Sequence, residues 1–238
     1  MTLLTVAHRA GNSLAGAAAA VAASVDVLEA DVHLTGGRLE LRHSKSLGPL
    51  PWYWDRGPWQ LTRRSAPQLG LAALFAAVPP TTAVMLDLKG VGRVGGSTAR
   101  QVRELGDGRR LLVCARWWPS VDAVAGLPHV LPVLSCRNGT ELARLRRRVS
   151  AAPPPYGVSL HGSLLSAAVV EELRRRVEVV MTWGVDDAVA LERVVGLGVN
   201  GIISDSLPLL QELPRTDGPD GPTWAAGAPR RRRGRPRR

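Results

Sequence analysis

The sequence predicts an α/β protein closed into a (β/α)8, or TIM-type, barrel, and three observations carry that prediction. Eight short apolar runs of strand length recur along 238 residues, most of them are followed by a run of helical length, and acids and histidines gather where the strand-like runs end. A strand–helix–strand unit implies parallel neighbours, and eight such strands at this chain length close naturally on themselves. Beyond this alternation the chain shows no internal repeat.

The elements follow in order. Leu3 to Val6 reads as a first apolar strand running into His8-Arg9-Ala10-Gly11-Asn12, after which Asn12 or Ser13 can cap an Ala-rich helix from Leu14 to Ala23. A second strand starts near Val25, turns at Thr35-Gly36-Gly37 and returns from Leu39 to His43. Ser44 to Ala66, rich in Trp, Pro and Gly, reads as a long irregular lid whose aromatics pack on the barrel rim or touch substrate. Helix and strand then alternate: helix Pro67 to Val78, strand Ala83 to Lys89, helix Ser97 to Leu105, strand Leu111 to Arg116 and helix Ser120 to Ala125. Strand His129 to Leu134 and helix Gly139 to Val149 come next, the helix with an arginine-rich face expected to be solvated. Strand Gly157 to His161, helix Leu164 to Arg176, strand Val177 to Trp183, helix Val185 to Gly196 and strand Asn200 to Asp205 complete the series.

Composition bounds the rest. With 45% hydrophobic residues and a mean hydropathy near zero, the chain can bury a substantial core in water. No apolar run approaches the ~20 residues of a membrane span, and Met1 to Val6 lacks the charged start of a signal peptide, so a cytoplasmic protein is expected. Cys114 and Cys136 lack metal-type spacing and are expected as buried free thiols. The net charge of +11 is carried unevenly, since from Leu213 onward there are eight Arg and only two acids. Residues 1–212 are therefore expected to form the barrel, and residues 213–238 a disordered Pro/Gly/Arg-rich tail. Such a tail is compatible with a merely solvated segment or with nonspecific anion binding, and it does not imply a specific nucleic-acid partner. Only Lys45 and Lys89 among the 31 basic residues are lysine.

Val27 to His43 is the stretch on which function turns. Strand alternation puts Glu29, Asp31 and His33 on one face and, two strands on, Met85, Asp87 and Lys89 on another. Paired carboxylates on one strand repel each other unless a cation sits between them, and a divalent metal is a usual remedy. Taken alone the stretch is also compatible with a half-buried strand carrying two solvent-facing acids. At the C-terminal rim of a barrel, however, Glu29, Asp31 and Asp87 would meet His8, Arg9, His43 and Lys89, with Arg116, His161, Trp183 and Asp205 further round. Three hard oxygen donors suit Mg²⁺ or Ca²⁺, and the two histidines would remain free for proton transfer. Arg9 and Lys89 beside a cation make a pocket for an anion, for which a phosphodiester is the obvious candidate. For His33 a structural hydrogen bond is the alternative to a catalytic role, and for His161 a satisfied core position is the alternative to bordering the substrate. Asp205 is expected to hold the last loop, outside catalysis, and His129 to lie at the opposite face of the barrel.

His8-Arg9-Ala10-Gly11, Glu29-Ala30-Asp31, His43, Asp87-Leu88-Lys89 and Gly198 to Asp205 together resemble the glycerophosphodiester phosphodiesterases, from about Val6 to Pro208. The resemblance implies a TIM barrel that uses a divalent metal to hydrolyse a small-molecule glycerophosphodiester to an alcohol and glycerol 3-phosphate. It implies His8 and His43 as the acid–base pair, Arg9 as a phosphate contact, Glu29, Asp31 and Asp87 as metal ligands, and Lys89, Trp183 and His161 as pocket residues. The chain departs from the family pattern in three places. The family's Pro-Glu-Asn segment after the first histidine is shortened to Gly11-Asn12 after His8-Arg9-Ala10, Ser44 stands where an aspartate usually follows the second histidine, and Asp87 replaces a glutamate. Asp at that position also resembles the sphingomyelinase D branch, which acts on lysophospholipids or sphingolipids, although the loop after His43 has no cysteine for that branch's disulfide. A catalytically silent, anion-binding barrel is the remaining alternative.

Overall fold

The computed structural model describes residues 3–55, 59–151 and 153–213. Eight parallel strands close the barrel: β1 (Leu4–Ala7), β2 (Val27–Thr35), β7 (Ala83–Leu88), β8 (Leu111–Ala115), β9 (Val130–Cys136), β10 (Gly157–His161), β11 (Val179–Trp183) and β12 (Gly201–Ser204). Their spatial order is β1-β12-β11-β10-β9-β8-β7-β2, and pairing of β1 with β2 closes the ring. Each barrel strand leads to a helix: α1 (Leu14–Ala22), α2 (Leu71–Ala77), α3 (Val94–Leu105), α4 (Trp118–Asp122), α5 (Gly139–Ser150), α6 (Ala167–Arg174), α7 (Ala188–Gly196) and α8 (Leu207–Gln211). Several helices begin where a short polar side chain accepts an amide of the first turn: Ser13 for α1, Asn138 for α5, Ser166 for α6, Asp187 for α7 and Ser206 for α8. Leu213, expected to open the tail, is instead buried in the core because its side chain is apolar and lies just past α8, and the rest of the expected tail, 214–238, lies outside the described residues.

Strand alternation sorts the core into two layers. Leu4, Val6, Val27, Met85, Leu112, Cys114, Val133, Met181 and Ile203 fill the barrel interior, whereas Leu28, Ala30, Val84, Leu86, Val113 and Val158 face the helices. Continuing the inward phase of each strand to its C-terminal end reaches His8, Glu29 and Asp31, Asp87 and Lys89, Arg116, His161, Trp183 and Asp205. The polar rim is thus the top of the same stack whose base is aliphatic. Both cysteines are buried free thiols, as expected, and burial pushes the Cys136 thiol up to about 12. His129 precedes β9 at the far face of the barrel and adopts a left-handed φ of 62° there.

The segment after His43 is not irregular. β2 first turns back as β3 (Arg38–Leu41), and then β4 (Lys45–Ser46), β5 (Trp52–Asp55) and β6 (Gln60–Arg63) form a small antiparallel sheet of their own. Pro and Gly around Leu50 suggest a loop, but Trp52-Tyr53-Trp54 has the aromatic bulk that favours a pleated surface. Tyr53 is the residue that packs: it is fully buried, donates its hydroxyl to Glu40 Oε2 at 2.9 Å and lies under the Arg42 guanidinium, 3.9 Å from its centroid. Trp59, by contrast, is 77% exposed. Two helices also start later than the sequence suggests, α2 at Leu71 and α6 at Ala167, the latter because a 3-10 turn over Gly162–Leu164 precedes the Ser166 cap.

Gly11 sits where the loop after β1 presses on β2. A Cβ there would lie 2.8 Å from Ala30 Cβ and 3.1 Å from the Glu29 carbonyl oxygen, so no larger residue fits without moving the loop. Gly11→Ala is expected to lower stability by about 1–3 kcal/mol, read from urea unfolding midpoints. An unchanged midpoint would show that the loop is free to lift.

Candidate active site

Three carboxylates converge at the rim. Glu29 and Asp31 point inward from β2 and Asp87 from the neighbouring β7, whose register pairs Asp31 with Asp87. One oxygen from each lies within 4.8 Å of the other two. Oxygens on opposite sides of a Ca²⁺ with ~2.4 Å bonds are themselves ~4.8 Å apart, so the triad matches the span of one hard cation. Glu29 and Asp31 are 2% and 1% exposed. Burial and the neighbouring Asp31 charge push the Glu29 carboxyl up to about 8, which marks a site where negative charge exceeds its compensation. The donor set, all carboxylate oxygen, fits Mg²⁺ or Ca²⁺.

Lys89 supplies part of that compensation. Its ammonium lies 2.6 Å from Asp31 Oδ1 and also pairs with Asp87. Burial works against the ammonium, yet Asp87, Asp31 and Glu29 together hold its pKa above the ordinary lysine value. Burial likewise opposes ionisation of Asp31, but Lys89 and Asn12 outweigh it and keep that carboxyl below its usual range. Asn12 grips Asp31 twice, donating from Nδ2 to Oδ2 at 2.8 Å and accepting the Asp31 backbone N–H at 2.8 Å.

A second set of contacts runs round the rim through both histidines. His8 Nδ1 lies 3.1 Å from Asp205 Oδ1, and the Arg9 guanidinium pairs with the same carboxylate. Arg9 Nη1 is 3.4 Å from His43 Nε2, and His43 Nδ1 is 2.9 Å from Asp55 Oδ1 on β5. Burial opposes the His8 imidazolium, but the Asp205 hydrogen bond and the Glu29 and Asp205 charges prevail, and the His8 pKa is raised. Burial would also raise Asp205, but its bonds to His8 and Arg9 lower it to about 2. Arg9 is held at a left-handed φ of 57° while its N–H donates to Glu29 Oε2 at 2.6 Å. The acid triad and the histidine circuit are thereby tied together at Arg9.

Comparison with known proteins follows this geometry. No family profile matches the chain, and no curated protein matches its sequence. Solved structures do match. A glycerophosphodiester phosphodiesterase from Thermotoga maritima superposes with a TM-score of 0.65 at 16% identity, covering 88% of this chain and 97% of that one. One from Parabacteroides distasonis gives 0.64 at 18% identity, covering 89% and 97%. A phosphodiesterase from Oleispira antarctica, solved with the product sn-glycerol-3-phosphate, gives 0.65 at 18% identity, covering 87% and 95%. This chain has the glycerophosphodiester phosphodiesterase fold.

On that fold, the residues singled out in the sequence divide into two groups. His8, Arg9, Glu29, Asp31, His43, Asp87 and Lys89 are brought together on the β1, β2 and β7 side of the rim. His161 and Trp183 lie across the barrel on β10 and β11, ring centroids 5.6 Å apart in an edge-to-face contact, with His161 Nδ1 2.7 Å from Ser163 Oγ. His33 lines the neighbouring groove, and burial, reinforced by the Arg42 charge, lowers its pKa to about 4. Arg116 is spent on an ion pair with Glu141. Two participants escaped the sequence reading, Asn12 and Asp55, and a third, Asp205, was placed on the rim but given too small a role. Asp205 does more than hold the last loop, since it contacts both His8 and Arg9. Asp55 carries the only clue that was available, because a missing aspartate at Ser44 leaves His43 in want of an acid.

Among the described residues no helix is long and apolar enough to cross a membrane.

Proposed function

We propose that the protein is a metal-dependent phosphodiesterase that hydrolyses small glycerophosphodiesters to an alcohol and glycerol 3-phosphate. The observation that carries this reading is the meeting of Glu29, Asp31 and Asp87 within 4.8 Å beside two histidines, each with a carboxylate at Nδ1. A divalent cation held by the three carboxylates would neutralise charge that builds on the phosphoryl oxygens. Arg9 and Lys89 add the positive charge that draws in and orients a phosphodiester. Asp205 and Asp55 each accept from a histidine Nδ1–H, which fixes the tautomer and turns Nε2 toward the rim. The Asp205 partnership favours the charged form of His8 and suits it to give a proton to the departing alcohol, while His43 takes the proton of the attacking water. Trp183 and His161 line the far wall, where an aromatic face meets the C–H face of a polyol.

Release of glycerol 3-phosphate from glycerophosphoglycerol tests the reading. Turnover is expected with Mg²⁺ or Ca²⁺, to vanish in excess chelator, and to return when the cation is restored. Turnover indifferent to chelation would remove the metal from the mechanism, and no turnover of any glycerophosphodiester would remove the reading itself. Cytoplasmic location forms part of the same proposal and is checked by fractionation.

A further inference from the structure

Next to the acid triad, and sharing with it Lys89, which lines the groove and pairs with Asp31 and Asp87, lies an open groove of about 630 Å³. Its walls come from the β2–β3 turn, the start of the small sheet and the loop from β7 into α3. Arg42, Lys45, Arg64, Lys89 and Arg93 line it together with His33, and no Asp or Glu does. Both lysines of the chain are there. Two of the five cations are spoken for: Lys89 by Asp31 and Asp87, and Arg42 by Glu40 at 2.9 Å and the Thr35 hydroxyl at 3.1 Å. Among the described residues no carboxylate pairs with Lys45, Arg64 or Arg93; Arg64 reaches only the Gly48 carbonyl at 3.5 Å and the Tyr53 ring, 5.7 Å from its centroid, neither of which carries a neutralising charge. Three uncompensated cations converging on one concavity repel each other, and an anion relieves that repulsion. The first turn of α3, which carries no acid and no capping side chain, opens on the same wall and adds a favourable dipole.

We infer that this groove is a second anion subsite, which binds a phosphate or carboxylate carried on the alcohol part of the diester. The inference rests on the phosphodiesterase reading above and deepens it. In the barrel order β2 stands opposite β10 and β7 opposite β11. The two substituents of a phosphodiester bound at the triad therefore reach unlike surroundings: the His161–Trp183 wall on one side and the cationic groove on the other. A neutral glycerol suits the aromatic wall. An alcohol bearing a further negative charge suits the groove, where it meets Lys45, Arg64 and Arg93 without meeting an acid.

The test compares substrates that differ by one anionic group. Glycerophosphoinositol is set against its inositol 4-phosphate, and glycerophosphoethanolamine against glycerophosphoserine, in the wild type and in Lys45→Gln/Arg64→Gln/Arg93→Gln. In at least one pair, kcat/KM is expected to be tenfold or more higher for the more anionic member. The gain should disappear in the triple variant, which keeps its rate on glycerophosphoglycerol and so reports its own folding. The inositol pair identifies a phosphate as the preferred group and the serine pair a carboxylate. Equal rates within both pairs, or a gain that survives the triple variant, would overturn the subsite while leaving the phosphodiesterase reading intact. Calorimetric affinities of the same pairs for His8→Ala, with and without the three Gln substitutions, decide the groove independently of turnover. A tenfold affinity difference lost with the cations upholds the subsite even if no diester is hydrolysed, and equal affinities overturn it.

Discussion

Replacing His8 or His43 by alanine is expected to lower kcat by about 10² to 10⁴, with KM changed far less, because each imidazole acts on a proton that moves only in the transition state. The two losses should differ in their pH profiles. His8 has its pKa raised by Asp205 against the opposing effect of burial, so a donor role leaves activity intact as pH falls and removes it as pH rises through the raised value. Asp205→Asn lowers that pKa and should shift the alkaline limb of the profile to lower pH, whereas a purely structural Asp205 would leave the limb in place. Asp55→Asn is the companion variant. An amide can still reach His43 Nδ1 at a similar distance, but it no longer stabilises the imidazolium, so kcat should fall by roughly tenfold or more while the unfolding midpoint holds. Near-wild-type turnover in either alanine variant would take that histidine out of the proposed mechanism.

The barrel was legible because its physics is local and repeated. Each strand needs only a short apolar run and a polar end, five of the eight helices begin at a capping Ser, Asn or Asp, and the inward phase from Val27 or Ala83 leads by simple alternation to Glu29, Asp31 and Asp87. What escaped depends on distance along the chain. Arg9 and Asp205 are 196 positions apart, and nothing short of the pairing of β1 with β12 tells that the loop after β12 lies over the loop after β1. Asp55 was hidden for a different reason. Its strand sits among prolines and glycines that read as irregular, and only the small sheet, through the β4–β5 pairing of Lys45 with Trp54, swings it back over His43. The groove was unreadable altogether, because its cations come from the residues just after β3 and β6, from β4 and from the β7–α3 loop, and no single segment is rich in them.

Neutralising the carboxylates one at a time should lower turnover alike but move stability in opposite directions. Glu29→Gln and Asp31→Asn are each expected to weaken the cation and cut kcat/KM by about 10³ or more, since a carboxylate ligand contributes charge that an amide does not. In metal-free protein their folding effects diverge. Glu29 is buried with its pKa raised to about 8, so its ionised form costs stability in the native state. That cost grows as pH rises from the unfolded value near 4.5 toward 8 and is absent in acid. Glu29→Gln removes it, keeps an acceptor for the Arg9 N–H, and should raise Tm at pH 8 with little change at pH 4. Asp31 is the reverse case. Its pKa is lowered because Lys89 and Asn12 overcome the effect of burial, so its contribution is present above pH ~4 and is lost as pH falls. Asp31→Asn forfeits it, leaving Lys89 with Asp87 alone, and should cost about 3 kcal/mol at neutral pH, the low end for a broken buried pair because Lys89 is partly solvated. A saturating divalent cation reverses the Glu29 effect: at about 100 Kd it adds about 2.7 kcal/mol, or about 5–10 °C in Tm, to the wild type and little to either variant. Thermal scans of the three proteins at pH 4 and 8, with chelator and with Ca²⁺, separate these outcomes. Parallel stability changes in the two variants, or a Tm indifferent to cation in the wild type, would mean that the three acids do not share one metal.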